Sequence, residues 1–510
     1  QAKVVSKAGF IRQIERIGGF GGKADVLAAC TVYLNDPGCF KKSLAAIENA
    51  SPASVKAAGN KWLKNGSLIA IVEPGERKPL PEELSVARSA MPAVAAADPK
   101  YKTVASTVDR KLGVPKTESF PELTMPAFER ATLSNGLNVV LAARPGVPVV
   151  QMNMLFNGGF SSDQGKKLGT AGFATNMLTQ GAGEYDALAF AAKQESLGAN
   201  IGSGAGIDGA NASLSAIKEK LDPSVALFAE MLRKPRFDAK EIERVRAQWL
   251  ATIKQEKIRP NAASSRILPT LMYGEGHPYA IPFSGTGTEA DIAALTRDDL
   301  IAYQNAYLRP EGATLVIVGD TSLAEIVPLL EKHLGQWQGQ GAKPAKPAVA
   351  AVALPNKPRV FLIDQPGSVQ ANIFVGQLVP SSMSDKATEF EIANSVLGGE
   401  FSSRLNMNLR ENKHWAYGAY SSARGGLGHL RPRGADLRPD RDGRHGRHVL
   451  RRRGHVLFVR HRHDHGRGDR GDRVADGAAR GPVEARRPRE QGSRAVPEAG
   501  AAHGRVADLV

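Results

Sequence analysis

Between Leu397 and Tyr420 the chain reads LGGEFSSRLNMNLRENKHWAYGAY, with Arg404, Arg410, Glu411, Trp415, Tyr417 and Tyr420 set among apolar anchors. Arginine presents a fixed fork of N–H donors, and a phenol presents one more. Two arginines and a tyrosine so placed suit gripping a peptide carbonyl or a developing oxyanion. The same residues also fit an amphipathic helix with a solvated basic face. To position them, Gly398-Gly399 must end the preceding element. Ser402 or Ser403 then caps a helix that carries Leu405 and Leu409 at i, i+4 on one face.

Length and composition bound the context. A chain of 510 residues is long enough for about two to four domains with real cores. No window approaches the ~20 apolar residues of a membrane span, and nothing reads as a signal peptide. The first residue is Gln1, not Met, which predicts a start inside a longer protein or after processing. Cys30 and Cys39 are the only cysteines. Two cysteines make neither a disulfide framework nor a structural zinc site, so buried thiols are the default, with a single bridge left open. The net charge of +16 is uneven: residues 429–510 hold 20 Arg, no Lys and 11 acidic residues. The body is only mildly basic, so the charge does not argue for nucleic-acid binding by the whole protein.

Taken in order, residues 1–76 read as the end of a domain, with helices over Lys23–Tyr33 and Pro52–Leu63 and an apolar strand over Ser67–Val72. Residues 77–128, rich in Pro and Ala, read as a linker. Residues 129–340 read as a complete α+β unit. Its expected parts are a hairpin around Asn135-Gly136, a strand at 149–156, a strand pair at 200–217, a strand at 314–318 and amphipathic helices between. A second linker covers 341–357. Residues 358–428 open a further unit, with strands over Val360–Ile363 and Ala371–Val375 and a helix over Thr388–Val396. From 429 to 510 the composition loses its apolar period and cannot bury a core.

Five spaced blocks together resemble the M16 zinc metallopeptidases, the pitrilysin and insulinase family, to which mitochondrial processing peptidase and the core subunits of the bc1 complex also belong. The blocks are Thr132–Leu141, Asn157–Leu178, Gly274–Thr286, Thr296–Asp320 and Ser402–Gly418, and residues 16–72 resemble the last part of such a unit. The resemblance implies layered α+β units, antiparallel-rich sheets with packed helices, and a two-repeat protein of which this chain is the C-terminal portion. An active unit of that family carries His-x-x-Glu-His on one helix. The two histidines share a zinc ion and the glutamate acts as general base. Here those positions are Gly172, Thr175 and Asn176, and the later glutamate ligand falls at about Ala251 or Thr252, with Glu256 one turn too far along. The resemblance therefore implies no metal in this chain and zinc on an upstream unit or a partner subunit. His277, His333 and His414 are at no ligand spacing, and His277 reads as structural. The family's distal Arg and Tyr, which help to bind the substrate carbonyl at the zinc of a different unit, match Arg410 and Tyr417.

These implications give a non-catalytic half that closes a peptide chamber, with peptides or unfolded segments added as a strand to a sheet edge. The alternative is a non-enzymatic partner or scaffold subunit. Bacterial two-repeat members are often exported, so the analogy points to the periplasm. For residues 429–510 the leading reading is a shifted frame in GC-rich coding sequence. The others are an Arg-rich segment that contacts nucleic acid or anionic lipid, and a metal cluster at His461, His463, Asp464 and His465. A lost ending would leave the last unit marginal and prone to aggregate.

Overall fold

The computed structural model describes residues 1–17, 20–64, 66–72 and 124–423 apart from 346, 354 and 367–369, with a few isolated positions between 75 and 122. The segment read as a linker over 77–128 falls almost wholly outside those residues, and the 429–510 tail falls wholly outside them. The chain divides into two compact units, 18–127 and a larger one made of 1–17 with 128–510.

Helix α1 (Ala2–Glu15) belongs to the larger unit. The smaller unit holds α2 (Lys23–Leu34), α3 (Cys39–Asn49) and α4 (Pro52–Trp62). Helix α2 stops at Asn35, whose left-handed backbone lets its own N–H reach the Thr31 carbonyl and the Asp36 N–H reach the Cys30 carbonyl. Helix α4 starts with Pro52 and a capping box in which Ser51 and Ser54 exchange hydrogen bonds of 3.1 and 2.9 Å. Two expectations are corrected here. Cys30 and Cys39 are joined in a disulfide and are not free thiols. Residues 67–72 form no strand: Leu68, Ile69, Ile71 and Val72 are exposed, and no described neighbour takes their backbone hydrogen bonds.

The larger unit continues with β1 (Glu129–Thr132), β2 (Asn138–Ala143), β3 (Val149–Asn157), α5 (Thr170–Met177), β4 (Gly181–Ala182) and β5 (Tyr185–Asp186). Helix α6 (Ala187–Leu197), β6 (Asn200–Ala205), β7 (Gly209–Ile217), α7 (Leu221–Arg233), α8 (Ala239–Ile258) and α9 (Pro260–Tyr273) follow. It closes with α10 (Glu289–Ala294), α11 (Arg297–Tyr307), β8 (Thr314–Gly319), α12 (Leu323–Leu334), α13 (Ala387–Asn394) and the short α14 (Arg404–Asn406). The fold is α+β, as expected. Six strands form one sheet in the order β1-β2-β8-β3-β7-β6, and only the β2–β8 pairing is parallel.

Period-2 alternation sets the sheet's faces. On β3, Val150, Met152, Met154 and Phe156 are buried, while Gln151 and Asn153 between them are exposed. Met152 sits opposite Leu214 of β7 and Ile317 of β8, so one face of the sheet is continuously apolar. It packs with Phe173, Phe190, Phe228, Leu300 and Leu330 of the helices in a single core. The opposite face meets α1. Arg12 donates to the Ser215 hydroxyl and carbonyl at 2.9 Å each, and Glu15 accepts from Gln151 at 2.9 Å. Burial lowers the pKa of Arg12, and Glu15 offsets this in part. Helix α1 thus covers, from far away in sequence, strands that the sequence presents as half-polar.

At the β1–β2 hairpin, Gly136 takes the positive φ of +82° that a tight turn requires. Asn135 donates from its amide to the carbonyls of Leu334 and Trp337 at 2.8 and 2.9 Å, tying the turn to the end of α12. Beyond α12 the expected strands at 360–363 and 371–375 do not form. Val360, Leu362, Ile373 and Val375 are exposed, in segments that belong to no described helix or strand. Their composition suits a strand, but no described strand lies alongside to complete a ladder.

Candidate functional site

Two sets of sequence-predicted residues were expected to matter, and the structure builds each from different elements. The first is the motif helix, α5. Its N-terminus is capped by Asp163 from the turn before it. The carboxylate accepts from the Gly169 N–H at 3.1 Å and the Ala171 N–H at 3.1 Å. Asp163 is only 3% exposed, and burial pushes its pKa up to about 7 even though both N–H bonds favour the charged form. Tyr303, buried beside it, donates to the Gly158 carbonyl at 2.5 Å. Burial first, then the Asp163 and Tyr307 charges, holds the Tyr303 phenol well above its usual pKa.

Two of the three positions that the resemblance aligns with the metal motif offer no side-chain atom to a metal. Gly172 has no side chain. Thr175 is 1% exposed, and its hydroxyl is spent on the Ala171 carbonyl at 2.8 Å and the Gly172 carbonyl at 3.1 Å. Asn176 lies on the exposed side of the helix. The space beside Gly172 is filled: a Cβ there would lie 3.0 Å from the Gly285 carbonyl, 3.4 Å from the Trp249 indole and 3.6 Å from the Phe160 ring. Trp249 is fixed in place. Its Nε1 donates to the Thr286 carbonyl at 2.9 Å, and its ring meets Phe173 edge-on at 5.5 Å. Gly285, at a φ of +70°, lies so close against Phe160 that no side chain fits.

Glu256, one turn beyond the expected ligand position on α8, is also committed. It pairs with Arg266 of α9 at 2.6 Å and accepts from the Thr286 hydroxyl at 2.7 Å and the Ser284 hydroxyl at 3.1 Å. Both members of this pair are largely buried and multiply hydrogen-bonded, so the carboxylate is a structural anchor for the 284–287 loop. Zinc does not fit here. Among the described residues no group of three or more His, Cys, Asp or Glu is arranged to hold a metal. His277 uses both ring nitrogens. Nδ1 accepts the Tyr279 N–H at 3.0 Å, so Nε2 carries the proton and donates to the Ala350 carbonyl at 3.1 Å. The plug was missed in the sequence. The signal available is a small residue at Gly172 and a large one, Trp249, far along the chain on α8.

The second set, Arg410 and Tyr417, is brought together. The Arg410 guanidinium lies 5.4 Å from the Tyr417 ring centre and 4.7 Å from that of Phe401, with Glu411 at 3.5 Å. Tyr417 is 95% exposed, so its phenol faces solvent. The expected helix differs in detail. Ser403 holds the N-cap position without making a side-chain cap bond, and after Asn406 the backbone widens into a π-helical stretch over Met407–Asn412 that carries Arg410. A residue the sequence reading passed over does the positioning. Asn406 is 5% exposed, donates to the Phe401 carbonyl at 2.7 Å and accepts from the Ala419 N–H at 3.2 Å. One amide thus ties the segment bearing Phe401 to the segment bearing Tyr417. Asn394 and Ser421 close the same return at 2.7 Å.

Strand β6 is the sheet edge nearest the motif helix. It pairs with β7 alone, and its Ser203 hydroxyl donates to the Thr175 carbonyl at 2.7 Å. Its other edge presents backbone groups that pair with no described strand.

Comparison with known proteins gives two family matches. The family model for insulinase, peptidase family M16, matches residues 138–279, and that for the peptidase M16 inactive domain matches residues 294–429. The first span contains α5, and the second contains Arg410 and Tyr417. The chain is 23% identical over 293 residues to an uncharacterized zinc protease of Mycobacterium leprae, which covers 58% of this chain and 65% of that protein. It is 23% identical over 277 residues to the non-peptidase homolog YmxG of Helicobacter pylori, covering 54% of this chain and 62% of that protein. The chain therefore spans less than two thirds of the length of either. The crystal structure of a peptidase M16 inactive domain from Pseudomonas fluorescens is similar with a TM-score of 0.51 and 26% identity, over 59% of this chain and 71% of that one. Five sequence blocks, two adjoining family matches and the layered sheet agree: the chain belongs to the M16, or insulinase, family of peptidases.

Proposed function

We propose that this chain is the non-zinc-binding half of an M16 metallopeptidase, the C-terminal portion of a two-repeat arrangement. It closes the peptide chamber and supplies Arg410 and Tyr417 to a zinc site carried by an upstream unit or a partner subunit. The observation that carries the reading is the contrast between the two sites. A side chain at Gly172 would crowd the Gly285 carbonyl and meet the Trp249 indole, whereas Arg410 and Tyr417 are adjacent, with the phenol turned to solvent. The guanidinium supplies N–H donors to a carbonyl oxygen gaining charge, and the phenol supplies an O–H. Peptides or unfolded segments are the substrates, held in extended form along the free edge of β6. Among the described residues no helix is long and apolar enough to cross a membrane, and no nucleic acid is expected as a partner.

Two assays test this. The chain alone, incubated with zinc and an unstructured peptide, shows no chelator-sensitive hydrolysis; robust chelator-sensitive turnover would sink the proposal. Combined with a zinc-bearing M16 unit, it supports peptide cleavage. Arg410→Ala or Tyr417→Phe then lowers kcat/KM by roughly tenfold or more, and unchanged kinetics in both variants reject the assigned role. A second reading, a non-enzymatic partner or scaffold subunit, is favoured by the likeness to a protein named a non-peptidase homolog. It predicts stable association with a partner but no dependence of cleavage on Arg410.

A further inference from the structure

The smaller unit has almost no core. Among its described residues only Gly22 and Cys30 are buried, while Leu27, Val32, Tyr33, Leu34, Val55 and Trp62 are exposed. What joins α2 to α3 is local. Asn35 ends α2, the Asp36 carboxylate accepts from the Gly38 N–H at 2.8 Å, and the disulfide links Cys30 to Cys39 across a separation of nine residues. The Asp36–Lys42 ion pair beside them is solvent-exposed and contributes little. A helical hairpin this small, without buried apolar mass, needs a covalent staple.

We infer that the chain matures in an oxidising compartment, where Cys30 and Cys39 form a structural disulfide on which the α2–α3 hairpin depends, so that reduction releases it. The inference stands independently of any role in peptide cleavage. A disulfide persists where thiols are not kept reduced. The two cysteines also differ in a way that orders the chemistry. Cys39 is the first residue of α3 and is partly exposed, whereas Cys30 lies within α2 and is 5% exposed. Access decides which thiol meets an external disulfide first, and Cys39 is the more accessible of the two. The Cys39 thiolate therefore attacks an external disulfide, of a dithiol oxidoreductase or of glutathione, forming a mixed disulfide and expelling one carrier thiolate. The Cys30 thiolate then attacks the Cys39 sulfur, forming the internal bond and expelling the second carrier thiolate. Two thiol protons pass to water, and two electrons pass to the carrier.

The test uses the full chain exported to the bacterial periplasm, quenched with an alkylating agent, denatured and weighed intact. No alkylated cysteine is expected before reduction and two after it; two alkylated cysteines without reduction would overturn the inference. Hydrogen exchange is then followed with and without reductant. Peptides covering residues 23–49 should exchange roughly 100-fold faster on reduction, the scale expected from closing a loop of this length. Peptides from β3, β7 and β8 serve as an unchanging reference. The Cys30→Ser/Cys39→Ser variant, without reductant, should reproduce the reduced pattern. Unchanged exchange over 23–49, in the reduced chain or in the variant, refutes the dependence.

Discussion

A variant that restores the motif, Gly172→His with Thr175→Glu and Asn176→His, should retain no stoichiometric zinc and should lose most of its folding stability. The reasons are geometric. A Cβ at position 172 already lies 3.0 Å from the Gly285 carbonyl, and the imidazole beyond it has to enter space held by Trp249 and Phe160. Overpacking of that kind costs about 1–3 kcal/mol. Thr175→Glu is worse. The threonine is buried, and a carboxylate there loses its hydration without gaining a donor, at roughly 2 kcal/mol or more even when it takes up a proton. Together these come to about 3–5 kcal/mol or more, reaching the lower end of the roughly 5–15 kcal/mol net stability of a typical domain. No third ligand is at hand either, because Glu256 is held by Arg266, Ser284 and Thr286. Thermal denaturation and metal analysis after desalting check both halves. A cooperative fold carrying one zinc per chain would show that the Trp249 plug is not what keeps metal out.

Asp163 should make the larger unit less stable as the pH rises. Its folded pKa is about 7 against an ordinary value of 3.8, because burial disfavours the carboxylate more than the Gly169 and Ala171 N–H groups favour it. The native state therefore holds a proton that the unfolded chain has released. Its contribution is fully present below the unfolded value and is lost as pH rises through about 7. Three pKa units correspond to roughly 4 kcal/mol between pH 4 and 8. Asp163→Asn keeps an oxygen to accept from the helix and removes the titration. Urea denaturation of both proteins across that range should show the wild type falling behind the variant as pH rises. A difference that stays flat, or that grows in favour of the wild type, refutes the assignment.

The largest elements of the fold were legible because local rules are strong there. Asn135-Gly136 announces its hairpin, the alternation of Val150, Met152, Met154 and Phe156 announces β3, and the long amphipathic pattern of α8 needs no neighbour to be recognised. Where pairing partners decide the outcome, the reading failed. Residues 67–72, 360–363 and 371–375 have strand composition, but no described strand lies beside them, and β structure is a property of pairs. The disulfide could not be derived either, since cysteine spacing does not report whether two sulfurs meet.

The candidate site divides along the same line. Gly172, Thr175 and Asn176, the positions the resemblance aligns with the metal motif, are poor zinc ligands on residue type alone, because ligand capacity is a matter of residue type at a helical spacing. The sequence by itself also singled out Arg410 and Tyr417. What surrounds Gly172 is set by packing between distant elements. Trp249 from α8, Phe160 from the turn before α5 and Gly285 from a distant loop converge on Gly172, so that packing leaves little room for a side chain there. Only the tertiary structure decided that Arg410 stacks between Phe401 and Tyr417, and that Asn406 sets their approach. Contacts between residues far apart in sequence are fixed by how the elements pack, and no local periodicity encodes them.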